Sequence, residues 1–184
     1  MGFQTFGDSN LQRALDAASL FASSLNRVRP YWLTLAGVSG LGKTHLAKRV
    51  FRYFMDWSRH QLDYDPDRKR VFGNTAIWCD WRKLCAGVRR GEYGWVEDIC
   101  EEWFVVLDDI GTEHDPSGHI ASVLDQIISG RSKKWTLITV NLTLDQIATR
   151  LDTRIASRML RDNGQVVEME GIDYNLRQRE NSVI

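Results

Sequence analysis

The sequence predicts an α/β domain of three layers, with a five-stranded, mainly parallel sheet held between helices. Three observations predict it. Apolar runs at Tyr31–Ala36, Ala76–Cys79, Trp103–Leu107, Trp135–Val140 and Val166–Met169 alternate with helical patterns. The first run leads into the glycine-rich segment Gly37-Val38-Ser39-Gly40-Leu41-Gly42-Lys43-Thr44 and then a helix. The third run ends in paired acids, Asp108 and Asp109. In an open parallel sheet a ligand lies at the carboxyl ends of the strands, where Lys43, Asp108 and Asn141 are expected to converge.

Composition bounds the reading. The 184 residues suffice for one domain with a real core, and the apolar fraction of 43% suits a globular protein. Formal net charge is zero, so any nucleic-acid surface must be a local patch. No apolar run is long enough to span a bilayer, no basic-then-apolar leader is present, and no membrane partner is expected. Cys79, Cys85 and Cys100 lack C-x-x-C spacing, which points away from zinc and disulfides and toward a reduced, cytoplasmic setting.

Residues 1–30 form a lead-in and a helix, 31–170 the core, and 171–184 a tail. Ser9 with Gln12 makes a capping box, and Leu11, Leu15, Ala18, Phe21 and Leu25 mark one helix face ending near Asn26. Pro30 punctuates the entry to the first strand. The segment 37–44 fits G-x-x-x-x-G-K-[ST] between strand and helix. Its glycines allow a tight turn that aims N–H groups at phosphate oxygens, and the following helix adds its positive dipole end. Lys43 supplies a point charge for the β- and γ-phosphates, and the Thr44 hydroxyl a ligand for Mg²⁺. A glycine-rich turn that binds nothing would lack this context. The next helix carries Leu46, Ala47, Val50, Phe51 and Phe54 inward and ends near Trp57.

Residues 58–70 read as a charged loop, with Arg68, Lys69 and Arg70 a solvated run. Residues 80–90 then form a helix rich in basic side chains, Gly91–Gly94 breaks it, and Trp95–Glu102 resumes helix. Arg82, Lys83, Arg89 and Arg90, interleaved with Trp78, Trp81 and Trp95, suit a single nucleic-acid strand by charge and stacking. The equal alternative places the tryptophans in the core. Asp108 would hold Mg²⁺ directly or through water, and Asp109 would orient or deprotonate the attacking water. After a loop, His119–Ser129 is a helix with Ile120, Val123, Leu124, Ile127 and Ile128 inward. Asn141, at a strand tip beside the paired acids, could touch the γ-phosphate or its water, or act as a turn or cap residue. A helix from Leu144 continues through Arg150, Arg154, Arg158 and Arg161, which share one stripe.

Four segments support a resemblance: Gly40–Ala47, Leu107–Glu113, Val140–Asn141 and Thr153–Met159. Together they look like an AAA+ ATPase of the initiator clade. They resemble the ATPase domain of replicative helicase loaders of the DnaC/DnaI type, and the transposition helper IstB is similar. The resemblance covers roughly residues 6–177. It implies an Mg²⁺-dependent ATPase, with the nucleotide held by residues 37–45 (His45 included) and no substantial helical lid. It implies Lys43 and Thr44 as the Walker A pair, Asp108 and Asp109 as the Walker B pair, and Asn141 as sensor 1. Arg158 matches the arginine finger, with Arg154 one turn earlier in the same interface, so self-association is implied. Single-stranded DNA would meet the basic region 81–90, and a replicative helicase or a transposase would be the protein partner. The sequence departs from the pattern near its end. Sensor 2 is an arginine close after a tyrosine, whereas Asn175 follows Tyr174 and Arg177 comes two residues later. The loaders also carry an N-terminal helicase-gripping domain, and only the lead-in precedes the first strand here. A nucleotide-dependent interaction module with little turnover stays open beside the enzyme, while a small-molecule kinase fits the Asp-Asp-Ile-Gly segment poorly.

Overall fold

A computed structural model describes residues 5, 7–25, 27–58, 63–65, 70–72, 75–111, 115, 117–161, 163–171 and 173. In chain order the elements are α1 (Ser9–Ser24), β1 (Trp32–Ala36), α2 (Lys43–Ser58), β2 (Asp63–Asp65), β3 (Arg70–Phe72), β4 (Ala76–Asp80) and α3 (Trp81–Arg89). They continue with α4 (Gly94–Glu101), β5 (Phe104–Ile110), α5 (His119–Gly130), β6 (Trp135–Val140), α6 (Leu144–Arg150), α7 (Thr153–Met159) and β7 (Gln165–Glu168). The five-stranded sheet has the order β4-β5-β6-β1-β7, and every neighbouring pair in it is parallel.

The near-continuous apolar runs make sense once both faces are covered, as parallel sheets require. Strand side chains alternate between the faces. Leu33, Leu35, Phe104, Val106, Trp135 and Leu137 pack under α1 and α2. Ala36, Val105, Leu107, Ile138 and Val140 pack under α3, α4, α5 and α7. The three-layer α/β reading therefore holds, with its helices divided between two faces. Among the described residues no helix is long and apolar enough to cross a membrane.

Four local readings change. The cap of α1 is Asp8, whose carboxylate accepts from the Asn10 and Leu11 amides at 2.9 and 3.3 Å; Gln12 reaches Asp16 instead of closing a box with Ser9. An ionised acid at a helix start also gains from the dipole, which a serine cannot. Residues 58–70 are not one loop: β2 and β3 pair antiparallel, with Asp63 opposite Phe72 and Asp65 opposite Arg70. Arg68 and Lys69 lie outside the described residues. The arginine-rich helix is broken after Arg150, because extended Asp152 accepts from the Arg154 amide at 2.7 Å and starts α7 afresh. The arginines at 150, 154, 158 and 161 therefore do not form one continuous stripe. Finally, Trp81 is wholly buried, so the stacking platform reading fails for that ring, while Trp78 and Trp95 are partly buried against the core.

Candidate nucleotide site at the strand tips

The tips of β1, β5 and β6 stand side by side in the sheet, and three turns leave from them. The first turn, residues 37–42, joins β1 to α2. Gly37, Gly40 and Gly42 take φ of 129°, 80° and 87°, a region side chains disfavour. Space forbids a side chain as well. A Cβ on Gly37 would lie 2.1 Å from the Met169 carbonyl oxygen, and one on Gly40 1.6 Å from the Asp173 carboxylate. Leu41 plugs the turn into the core, while Val38 is exposed.

Lys43 opens α2 and is buried, with its Nζ donating to the carbonyls of Gly37 at 2.7 Å and Val38 at 2.6 Å. Burial lowers its pKa to about 8, although the charges of Asp109 and Asp108 pull it upward. Burial, reinforced by Arg49, Arg52 and Lys48, also lowers the pKa of His45 and favours the neutral ring. Thr44 donates its hydroxyl hydrogen to Oδ1 of Asp108 at 2.9 Å, which brings the phosphate-loop threonine and the strand acid together across the cleft.

At the β5 tip the backbone changes character. Asp109 has φ of 70°, and the register with β6 shifts between Leu107 and Ile110. Two residues on β5 therefore face one on β6, a bulge that re-aims the second acid. Thr139 lies opposite. Its Oγ1 donates to Asp108 Oδ1 at 2.6 Å and accepts from the Asp109 amide at 2.8 Å. Beyond it, Asn141 donates from Nδ2 to Oδ1 of Asp109, and its amide bonds the Ile110 carbonyl at 2.9 Å. The cap of α6 is Thr143, so Asn141 is no helix cap.

The structure thus brings Lys43, Thr44, Asp108, Asp109 and Asn141 into one cluster. It brings Arg82 there too, against the sequence expectation of a DNA contact. Arg82 Nε lies 2.8 Å from Asp109 Oδ2, because α3 starts directly at the β4 tip beside β5. The other basic residues of that helix are engaged on the surface: Lys83 lies 3.6 Å from Asp80 and Arg90 2.8 Å from Glu92, and Arg89 also has a partner. Arg158 stands apart from the cluster. Its Nη1 is bound within the chain by the Asp125 carboxylate of α5. Arg154 pairs with Asp152 at 2.8 Å, and hydrogen bonds from Arg154 hold that carboxyl down to about 2. Arg177 lies outside the described residues.

Sequence reasoning missed Thr139 and the second partners Arg82 and Asp125. Two hydroxyl residues inside an otherwise apolar run, Thr136 and Thr139, were the visible signal; the other pairings depend on how helices meet and have no local signature. A group of three or more His, Cys, Asp or Glu able to hold a metal is absent among the described residues. The hydroxyl of Thr44 and the carboxylate of Asp108 nevertheless form a hard oxygen donor pair. Such a pair suits Mg²⁺, which takes one or two protein groups and completes its shell with phosphate and water.

No protein-family model matches the chain, and no curated protein matches it in sequence. Solved structures do match its fold. A DnaC helicase loader is 21% identical, with a TM-score of 0.67, covering 89% of this chain and 92% of that one. Domain III of the Thermotoga maritima replication initiation protein DnaA is 19% identical, with a TM-score of 0.63, covering 94% and 67%. The replication initiator DnaA bound to AMPPCP and single-stranded DNA is 14% identical, with a TM-score of 0.57; all of this chain covers 52% of that one. The chain therefore shares its fold with a DnaC helicase loader and with domain III of a DnaA protein. A DnaI structure, 18% identical with a TM-score of 0.63, shares that fold over 91% of this chain and 85% of that one.

Proposed function

We propose that this chain binds ATP with Mg²⁺ at the strand tips, hydrolyses it, and works as an ATP-dependent switch in DNA replication. One observation carries the reading: a continuous set of hydrogen bonds runs Thr44–Asp108–Thr139–Asp109–Asn141 across three adjacent strand tips, beside a buried lysine in a glycine turn. Likeness to a DnaA structure holding AMPPCP supports the choice of nucleotide.

In this reading the turn amides and Lys43 hold the phosphates, with the Nζ leaving the Gly37 and Val38 carbonyls for phosphate oxygens. Thr44 and Asp108 would hold Mg²⁺, which when bound would supply neutralisation of phosphate charge. Asn141 and Asp109 position a water, and Asp109 accepts its proton as the water oxygen bonds to the γ-phosphorus. The bond from the γ-phosphorus to the β–γ bridging oxygen breaks, and ADP and phosphate leave. Lys43→Ala should abolish binding of a fluorescent ATP analogue. Asp109→Asn should bind normally and lose about 10²- to 10⁴-fold in turnover. Unchanged turnover in Asp109→Asn would remove that acid from its role.

Arg158 is assigned to the nucleotide of a neighbouring subunit, after release from Asp125. A finger supplied this way is worth about 10³ to 10⁵ in rate. Mixing Arg158→Ala with Asp109→Asn subunits should restore activity that neither has alone, and no recovery at any ratio rejects the shared site. Lys83, Arg89 and Arg90 are assigned to single-stranded DNA by charge alone, and a helicase or transposase remains the partner class. One observation favours a second reading, a nucleotide-dependent module with little turnover: both oxygens of Asp109 are already bonded, to Asn141 and Arg82. Measured steady-state turnover separates the two.

A further inference from the structure

We infer that Thr139 is a positioning residue that sets both strand-tip acids through one hydroxyl group; this rests on the Mg²⁺-ATPase reading above. A hydroxyl has a single hydrogen and two lone pairs. The Asp109 amide can only donate, so it takes a lone pair of Thr139 Oγ1 at 2.8 Å. An ionised carboxylate can only accept, so the hydroxyl hydrogen goes to Asp108 Oδ1 at 2.6 Å. Each bond fixes the sense of the other. Asp108 Oδ1 then receives two hydroxyl donors, from Thr139 and Thr44, which locks the carboxylate plane and aims its second oxygen. The same threonine closes the bulge. Asp109 sits at φ of 70° with its amide turned out of the strand ladder, and Thr139 supplies the acceptor that amide needs.

Neighbouring threonines show that this is not ordinary strand packing. The sheet buries three near the site or along the same strands, Thr34, Thr136 and Thr139. Thr34 Oγ1 has no hydrogen-bond partner among the described residues, and Thr136 Oγ1 accepts from Arg131 at 2.9 Å. Only Thr139 of these three joins the two acids. Val would fill the same volume in a wholly buried strand, and it would leave a buried amide unpaired.

The test compares Thr139→Val, Thr139→Ser and the control Thr34→Val in the full chain. Partners that orient metal ligands typically matter about 10- to 100-fold in metal affinity or activity. Thr139→Val should raise the Mg²⁺ concentration needed for half-maximal turnover by about tenfold or more and lower kcat by a similar factor. Affinity for ATP without Mg²⁺ should stay within about twofold, because Lys43 and the turn amides are untouched. Thr139→Ser should restore both, and Thr34→Val should resemble the parent. Hydrogen exchange supplies a readout free of ligand: the Asp109 amide should lose protection in Thr139→Val and regain it in Thr139→Ser. If Thr139→Val does not fold, Thr139→Ala carries the same comparison. Parental Mg²⁺ dependence together with parental Asp109 protection overturns the assignment. A parent protein that binds no Mg-ATP overturns the wider reading instead, while the exchange result still decides whether Thr139 holds the bulge.

Discussion

The two ends of one sheet are built on opposite rules. At the amino ends of β1, β5 and β6, Phe21, Tyr31, Phe104 and Trp135 interlock, with ring centroids 5.1 to 6.0 Å apart. A charged side chain there, Arg131, is wholly buried and donates to the carbonyls of Ile99, Glu102 and Trp135 and to the Thr136 hydroxyl. At the carboxyl ends the side chains are polar, the turns take positive φ, and each charged group has a partner it could exchange for a ligand. Fixed partners at one end give rigidity; exchangeable partners at the other leave room for chemistry. Strained backbone such as that of Asp109 persists only where the surrounding structure over-determines it.

The largest expected effect tests the locked end. Arg131→Met should remove the donor that three carbonyls share and destabilise the chain by roughly 3 kcal/mol, the upper end of the about 1–3 kcal/mol for one buried group left unpaired. Thermal unfolding should then fall by roughly 10 °C, given about 2–4 °C per kcal/mol at this size. Nucleotide affinity of the folded fraction should not change, and a parallel loss would show that the two ends are coupled.

A smaller effect comes from pH. Lys43 has a folded pKa of about 8, set by burial, against an unfolded value of 10.5. Phosphate attraction needs the ammonium, so affinity should fall as pH rises through 8, by about tenfold between pH 7 and 9. The sign for stability is the reverse. Between pH 8 and 10.5 the unfolded chain holds more protons, so this lysine adds stability as pH rises. Titrations of analogue affinity and of thermal midpoint check the two signs separately. The same affinity at both pH values would mean that Lys43 does not meet phosphate.

The smallest effect tests an exchangeable partner. The Arg82 side chain is 70% exposed, and exposed ion pairs are worth about 0–1 kcal/mol. Arg82→Ala should therefore raise basal turnover only about two- to fivefold, by freeing Asp109 Oδ2, and leave stability almost unchanged. A fall in turnover would instead make Arg82 part of the reaction. Fluorescence anisotropy with a labelled single strand should show weaker, salt-sensitive binding in Arg89→Ala/Arg90→Ala; affinity that ignores salt would reject a phosphate-tracking face.

Much of this was legible before any coordinates. The apolar runs and helical periods gave the strand order of appearance and both helical layers, because burial on two faces leaves a periodic trace in the chain. The glycine turn, Lys43, Thr44 and the paired acids were legible because each lies within a short window next to a strand end. Other features were not local. Asp8 displaced Ser9 as a cap, and Asp152 split one arginine helix in two, through competition between neighbouring side chains for the same amides. Trp81 left any stacking role for the core because α3 turns that face inward.

Sequence alone determined where a glycine turn would join strand to helix and which strand would carry paired acids to the sheet edge, since spacing and residue type suffice for that. Tertiary structure decided who holds those acids: Thr139 from β6, Arg82 from α3 and, for Arg158, Asp125 from α5. These contacts join residues about thirty apart in sequence. A side chain's partner across a sheet follows from register, and one bulge in β5 is enough to reset it.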